Sequence, residues 1–125
     1  MNVPENLKFT KDHEWIKVEG SEALVGITDY AQSELGEIVY VELPAVGESR
    51  EKETVFGTVE AVKAVSDLFM PVSGEVLSVN KELEDKPELI NEDPYEGGWM
   101  IRIALLDSSE LDSLMNAEQY AAFIQ

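Results

Sequence analysis

Residues 60–67 read EAVKAVSD, and the shape this stretch takes decides the fold. Ala, Glu and Lys favour helix, and Val59, Val62 and Ser66 fall at helical spacing. The rival is a hairpin turning at Lys63-Ala64. It sets Val62 opposite Val65, Ala61 opposite Ser66, and Glu60 opposite Asp67. Lys-Ala lacks the Asn-Gly signature of a favoured two-residue turn, so local propensity leaves both shapes open. The stretch also raises a chemical question. Lys63 is one of nine Lys and Arg set against 26 Asp and Glu, and it has no basic neighbour here. On a hairpin it stands at an exposed tip with carboxylates set back from it; otherwise it is an ordinary surface lysine.

Upstream, HEWIKVEG and EALVGIT read as two strands joined by the turn signal Gly20-Ser21. TDYAQSELG follows as a short helix near 28–35, with Thr28 as cap, Asp29 in the first turn and Gly36 just past the end. EIVYVELP alternates Ile38, Tyr40 and Glu42 against Val39, Val41 and Leu43, a strand pattern ended by Pro44. VGESREKE is a polar turn that leads into the strand TVFGTVEAV. Downstream, FMPVSGEVLSVN reads as a strand pair broken at Pro71 and Gly74, and KELEDKPELINEDPYEGG as a long acidic loop. WMIRIALL is a strand. The tail from about 108 to 125 is helical, and Asn116 with Gln119 is placed for a capping box. Short strands with helices at the edges predict a mainly β fold, with residues 1–125 as a single domain. GEIVYV at 36–41 recurs as GEVLSV at 74–79. The recurrence is either ordinary turn vocabulary or the mark of two similar halves.

Composition removes several function classes. A net charge of −17 argues against nucleic acid, whose phosphates demand Lys and Arg, and against anionic membrane surfaces. Basic protein surfaces are its natural long-range partners. The absence of Cys excludes disulfides, thiolate nucleophiles and Cys-based zinc sites. MNVPENLKFTKDHEW has neither the apolar core of a signal peptide nor the Arg-rich character of a transit peptide, and apolar runs are too short to span a bilayer. The expectation is a soluble cytoplasmic protein.

Few residues are equipped for catalysis. His13 is the only histidine, so no His-pair metal site exists, and no recognisable nucleophile and orienting acid accompany it. Nothing selects an acid/base pair from the 26 carboxylates. The acidic loop lacks the calcium-loop spacing, and no Gly-rich phosphate or dinucleotide motif is present.

HEW near the start, GITDYAQSELGEIVYVELP, GTVEAVKAVSDLFMPVSGEVLSVN, ELINEDPY followed by GWM, and the C-terminal helix come in one order nearly end to end. In that order they closely resemble the H proteins of the glycine cleavage system, a family of lipoyl carriers. The family attaches its cofactor at a lysine preceded by E-[SA]-V and followed by A-x-S-D, which here is Lys63 in EAVKAVSD. Biotin carriers place their lysine between methionines, whereas Val62 and Ala64 flank this one. The resemblance implies a lipoyl/biotinyl-type barrel-sandwich hybrid of two similar halves with Lys63 on a tight hairpin. The resemblance, and not the periodicity, favours the hairpin over the helix.

The implied function is that of a non-catalytic carrier with (R)-lipoate on Lys63. A pyridoxal-phosphate-dependent glycine decarboxylase loads the arm with an aminomethyl group. A tetrahydrofolate-dependent aminomethyltransferase unloads it, and dihydrolipoamide dehydrogenase reoxidises it. A lipoate or octanoyl transferase or ligase installs the group, and the carrier itself is expected to be a monomer. By motif position, Glu14 and Asp67 match the family's acidic cleft for the loaded arm, serving the arm and not the fold. Residue 12 is Asp where some members carry a hydroxyl residue, so no contact is carried over there, and the doublet at 97–98 is a minor departure. Two alternatives fit the same sequence: a relay that donates lipoate to other lipoyl domains, and an unmodified interaction module, against which the intact Lys63 motif argues.

Overall fold

Nine strands form two antiparallel sheets that face one another across the main core in the computed structural model, which describes residues 1–125. The strands are β1 (Lys8–Phe9), β2 (Glu14–Glu19), β3 (Glu22–Ile27), β4 (Ile38–Glu42), β5 (Ser49–Arg50), β6 (Val55–Ala61), β7 (Val65–Phe69), β8 (Gly74–Val79) and β9 (Ile101–Leu105). The six-stranded sheet runs β1-β2-β3-β9-β8-β5 and the three-stranded sheet β4-β6-β7. Ile16, Val25 and Ile101 are opposed across β2, β3 and β9 and are all buried. Ile38, Val59 and Leu68 bring the other sheet into the same cluster. Burying each such side chain stabilises the fold by about 1.5–3 kcal/mol. A second cluster of Leu7, Phe9, Trp15, Ala117 and Tyr120 seats the C-terminal helix.

The helix α1 (Asp29–Leu35) starts as the sequence predicts, with the Thr28 hydroxyl accepting from Ala31 N–H. Gly36 ends it at φ 84°, a left-handed value that favours glycine. At the other end of the chain, a 3-10 turn over Ser108–Ser113 precedes α4 (Ala117–Phe123), whose Asn116–Gln119 capping box is complete.

Three local expectations need correction. The polar turn VGESREKE contains β5, which pairs with β8. Strict alternation fails in β4, because a bulge between Ile38 and Tyr40 turns Val39 and Tyr40 both outward while Ile38 and Val41 stay buried. The acidic stretch after Asn80 is not a featureless loop. It contains the single turns α2 (Glu82–Asp85) and α3 (Leu89–Glu92), pinned by buried Leu83 and Ile90. One buried apolar residue per turn is too sparse to register as periodicity, yet it suffices to dock each turn.

The sequence repeat has a structural counterpart. Bulges fall between Ile38 and Tyr40 in β4 and between Val76 and Ser78 in β8, the same offset as the repeat, and Ile38 and Val76 are both buried. The repeated strands lie in opposite sheets, one for each half. No helix is long and apolar enough to cross a membrane.

Candidate functional site

EAVKAVSD is a hairpin. Its pairs are Glu60 with Val65, Val59 with Ser66 and Thr58 with Asp67, and Ala61 N–H donates to Ala64 C=O at 2.7 Å. The turn is therefore Val62-Lys63, one residue earlier than the sequence reading placed it. Moving the turn by one residue shifts the pairing by two and leaves every side chain on the same face, so hydrophobic alternation cannot detect the error. The backbone can: Val62 N–H leaves the hairpin and donates to Glu37 C=O at 3.1 Å. Neither turn residue takes a positive φ, as suits a β-branched Val that would be strained in a primed turn.

Lys63 is exposed, and no ion pair engages it. Its stem crosses the end of α1, where a methyl group built on Gly36 would meet Lys63 Cε at 3.3 Å and Nζ at 3.8 Å. The ground beneath it is firm. Asn91 of α3 donates to Gly36 C=O at 2.8 Å and to Gln32 Oε1 at 2.9 Å, and accepts from Ile38 N–H at 2.9 Å. One side chain thus joins the end of α1 to the start of β4. A primary amine on a rigid tip, free of charge partners, is well presented for acylation.

Glu14 lies at the other end of β7. It is 2% exposed and borders a cleft of about 360 Å³ whose apolar walls come from Phe9, Met70, Leu114, Met115 and Phe123. The Thr10 hydroxyl donates to Glu14 Oε1 at 2.6 Å, and Phe69 N–H reaches Oε2 at 3.3 Å. Desolvation dominates these bonds, and the nearby Asp12 charge adds to it, so the carboxyl is pushed up to about 8. Glu14 is thus a buried acid fixed by its neighbours and part of the fold as well as of the cleft. Sequence reasoning missed Thr10, whose hydroxyl donates to Glu14 and accepts from Asp12 and Glu14 N–H. A Thr four residues before a Glu is the signal that was available.

Asp67 is exposed on β7 and is not among the residues lining the cleft. It lies between the Lys63 tip and Phe69, whose amide touches Glu14. Roughly 13 Å of strand separates Val65 from Phe69 at ordinary β rise. The structure brings Glu14, Thr10 and Asp12 together at the cleft and leaves Asp67 on the strand between cleft and tip. His13 does not continue β2 as a strand residue; it occupies a turn at φ 68°. A long acyl arm with an apolar stem and a polar head suits these features: a free amine to start from and, beyond the strand that carries Asp67, a cleft with apolar walls, a charged rim and a buried acid.

Residues 7–125 match the family model described as glycine cleavage H-protein. The chain is 56% identical over 125 residues to a glycine cleavage system H protein of Halothermothrix orenii, covering all of this chain and 98% of that one. A counterpart from Bacillus cereus is 55% identical over 121 residues, 97% of this chain and 95% of the relative. The crystal structure of a glycine cleavage system H protein from Mycobacterium marinum superposes with a TM-score of 0.84 at 37% identity, covering 96% and 97% of the two chains. This chain belongs to the glycine cleavage H-protein family, the non-catalytic lipoyl carriers of the glycine cleavage system.

Proposed function

We propose that this single-domain chain carries lipoate on Lys63 and that the cleft at Glu14 is the seat of the loaded arm. The observation that carries the first part is the solitary, unpaired amine on the hairpin tip within the attachment motif. Lipoate supplies a dithiol/disulfide that accepts both a one-carbon amine and electrons. The protein's own part is positional. Lys63 presents the arm, the apolar cleft walls exclude water from its end, and the Glu14 carboxyl offers a hydrogen-bond acceptor to a cationic cargo, whose charge in turn favours ionisation of that carboxyl. Asp67 stands along the route between them and holds the arm in transit.

The partners that follow are the pyridoxal-phosphate-dependent decarboxylase, the aminomethyltransferase, dihydrolipoamide dehydrogenase and a lipoate or octanoyl transferase or ligase. The net charge of −17 favours basic docking faces on these enzymes. The carrier acts as a monomer in the cytoplasm. Donation of lipoate to other lipoyl domains is the second reading, since the same presented amine serves it.

Alanine variants test the cleft. Glu14→Ala should speed ammonia release from the loaded protein, with the transferase absent, several-fold, because hydrogen bonds to charged groups contribute about 1.5–3 kcal/mol. Asp67→Ala, at an exposed position, should change it less. Decay at the wild-type rate in both variants would remove the sheltering role.

A further inference from the structure

His13 immediately precedes Glu14, and its left-handed backbone is one that few residues with a side chain adopt readily, histidine being among the more tolerant. Two backbone bonds hold it there. Its N–H donates to Thr10 C=O at 3.1 Å and its C=O accepts from Thr28 N–H at 3.0 Å. The third restraint comes from the ring. Nδ1 lies 2.8 Å from Tyr120 Oη, which lies 2.7 Å from Thr28 Oγ1. Thr28 Oγ1 is buried and already accepts from Ala31 N–H at 3.1 Å. The proton arrangement that gives both hydroxyl hydrogens in this chain a partner has Thr28 donating to Tyr120 and Tyr120 donating to a bare, neutral Nδ1. The three residues thereby join the turn before β2, the cap of α1 and the C-terminal helix α4.

We propose that His13 is a positioning residue for the cleft: its turn, latched to Tyr120, aims Thr10 and Glu14 into the cleft and fixes α4, with Phe123, as a wall. The proposal rests on the reading of the cleft as the arm's seat. Geometry supports it on both sides of the latch. Thr10, which receives the His13 amide at its carbonyl, also orients the Glu14 carboxyl. The His13 ring lies 5.8 Å from that of Phe123, a cleft residue, and 4.9 Å from that of Tyr30.

The latch also has a pH sense. The carboxylates facing His13 are Asp12 and Glu34, which favour its charged form, with Glu14 next in the chain. Burial outweighs them and holds the imidazole below its ordinary 6.5. Acid that protonates Nδ1 turns it from acceptor to donor: Tyr120 Oη then accepts from the imidazolium and from Thr28, and its own hydrogen is left without a partner in the chain. A depressed histidine adds stability above its unfolded value that is lost as pH falls, so the latched fold weakens on the acid side.

Three variants decide the matter. Tyr120→Phe keeps the ring stacked on Phe9 at 4.6 Å but removes the hydroxyl. His13→Gly keeps the backbone angle but removes the acceptor. His13→Asn tolerates the angle and restores an acceptor near the Nδ1 position. With circular dichroism unchanged, the first two should move the Glu14 carboxyl titration in unlipoylated protein, followed by 13C NMR, at least tenfold in acid constant towards the ordinary range. They should also speed decay of the loaded arm several-fold, and His13→Asn should restore both. A Glu14 titration at the wild-type position in Tyr120→Phe and His13→Gly, or His13→Asn no better than His13→Gly, overturns the proposal. If Tyr120→Phe unfolds, the two His13 variants decide alone. A loaded wild-type arm that decays as fast as one on a short peptide defeats the cleft reading instead, and the Glu14 titration, which needs no arm, still judges the latch.

Discussion

Replacing Lys63 with Arg should abolish lipoylation and glycine cleavage while leaving the fold intact. The guanidinium keeps the positive charge but offers no amine that an acyl-transfer enzyme uses. The structural cost is small, because the side chain is exposed and carries no ion pair. It passes beside Gly36, whose lack of a side chain leaves room for a longer planar head. Thermal unfolding should therefore shift by no more than an exposed substitution usually causes, about 0.5 kcal/mol. Activity in the reconstituted system should fall to background, since there is no second amine in the attachment motif. Lipoyl transfer to the Arg variant at the wild-type level would show that another lysine is the acceptor.

Glu14→Gln should remove the loss of stability on the alkaline side. The Glu14 carboxyl is held at about 8 against an ordinary 4.5, mainly by desolvation. Between those values the folded protein binds a proton that the unfolded chain releases. Stability from this group is complete below pH 4.5 and is lost as pH rises through 8. Within that window each pH unit removes up to about 1.4 kcal/mol. Glutamine does not ionise, so the variant lacks this loss. It also gives up acceptance from Phe69 N–H, a long bond at 3.3 Å. The variant should accordingly melt below wild type near pH 5 and above it near pH 9. Parallel melting curves across that range would mean that Glu14 is ionised and solvated in the folded protein.

The sequence announced most of this architecture through local chemistry. Thr28, Gly36, Asn116 and Gln119 do at the helix ends what their side chains and backbones are suited to do. Strands β3, β8 and β9 follow their apolar spacing, whereas the two-residue strands β1 and β5 carry no such signal, and the repeated Gly-Glu motif marks two strands with bulges in equivalent places. What stayed hidden has a common physical origin. The turn of the β6–β7 hairpin was misplaced by one residue because face alternation is blind to a two-residue shift. The bulge in β4 breaks alternation without any residue that signals it. Asn91 and Thr10 are inconspicuous in sequence because their partners, Gly36 and Glu14, are set by tertiary contact and by a turn. Lys63 and Glu14 are proposed as site residues through family resemblance. That Glu14 is buried, and His13 strained beside it, only the folded chain reveals.

The central claim is that Lys63 bears the lipoyl group, and fragmentation mass spectrometry of protein isolated from its own cells tests it most directly. Intact protein should be heavier by a single lipoyl group, with the added mass confined to the peptide that contains Lys63. Protein that is wholly unmodified in cells cleaving glycine, or lipoate found on any other lysine, would contradict it.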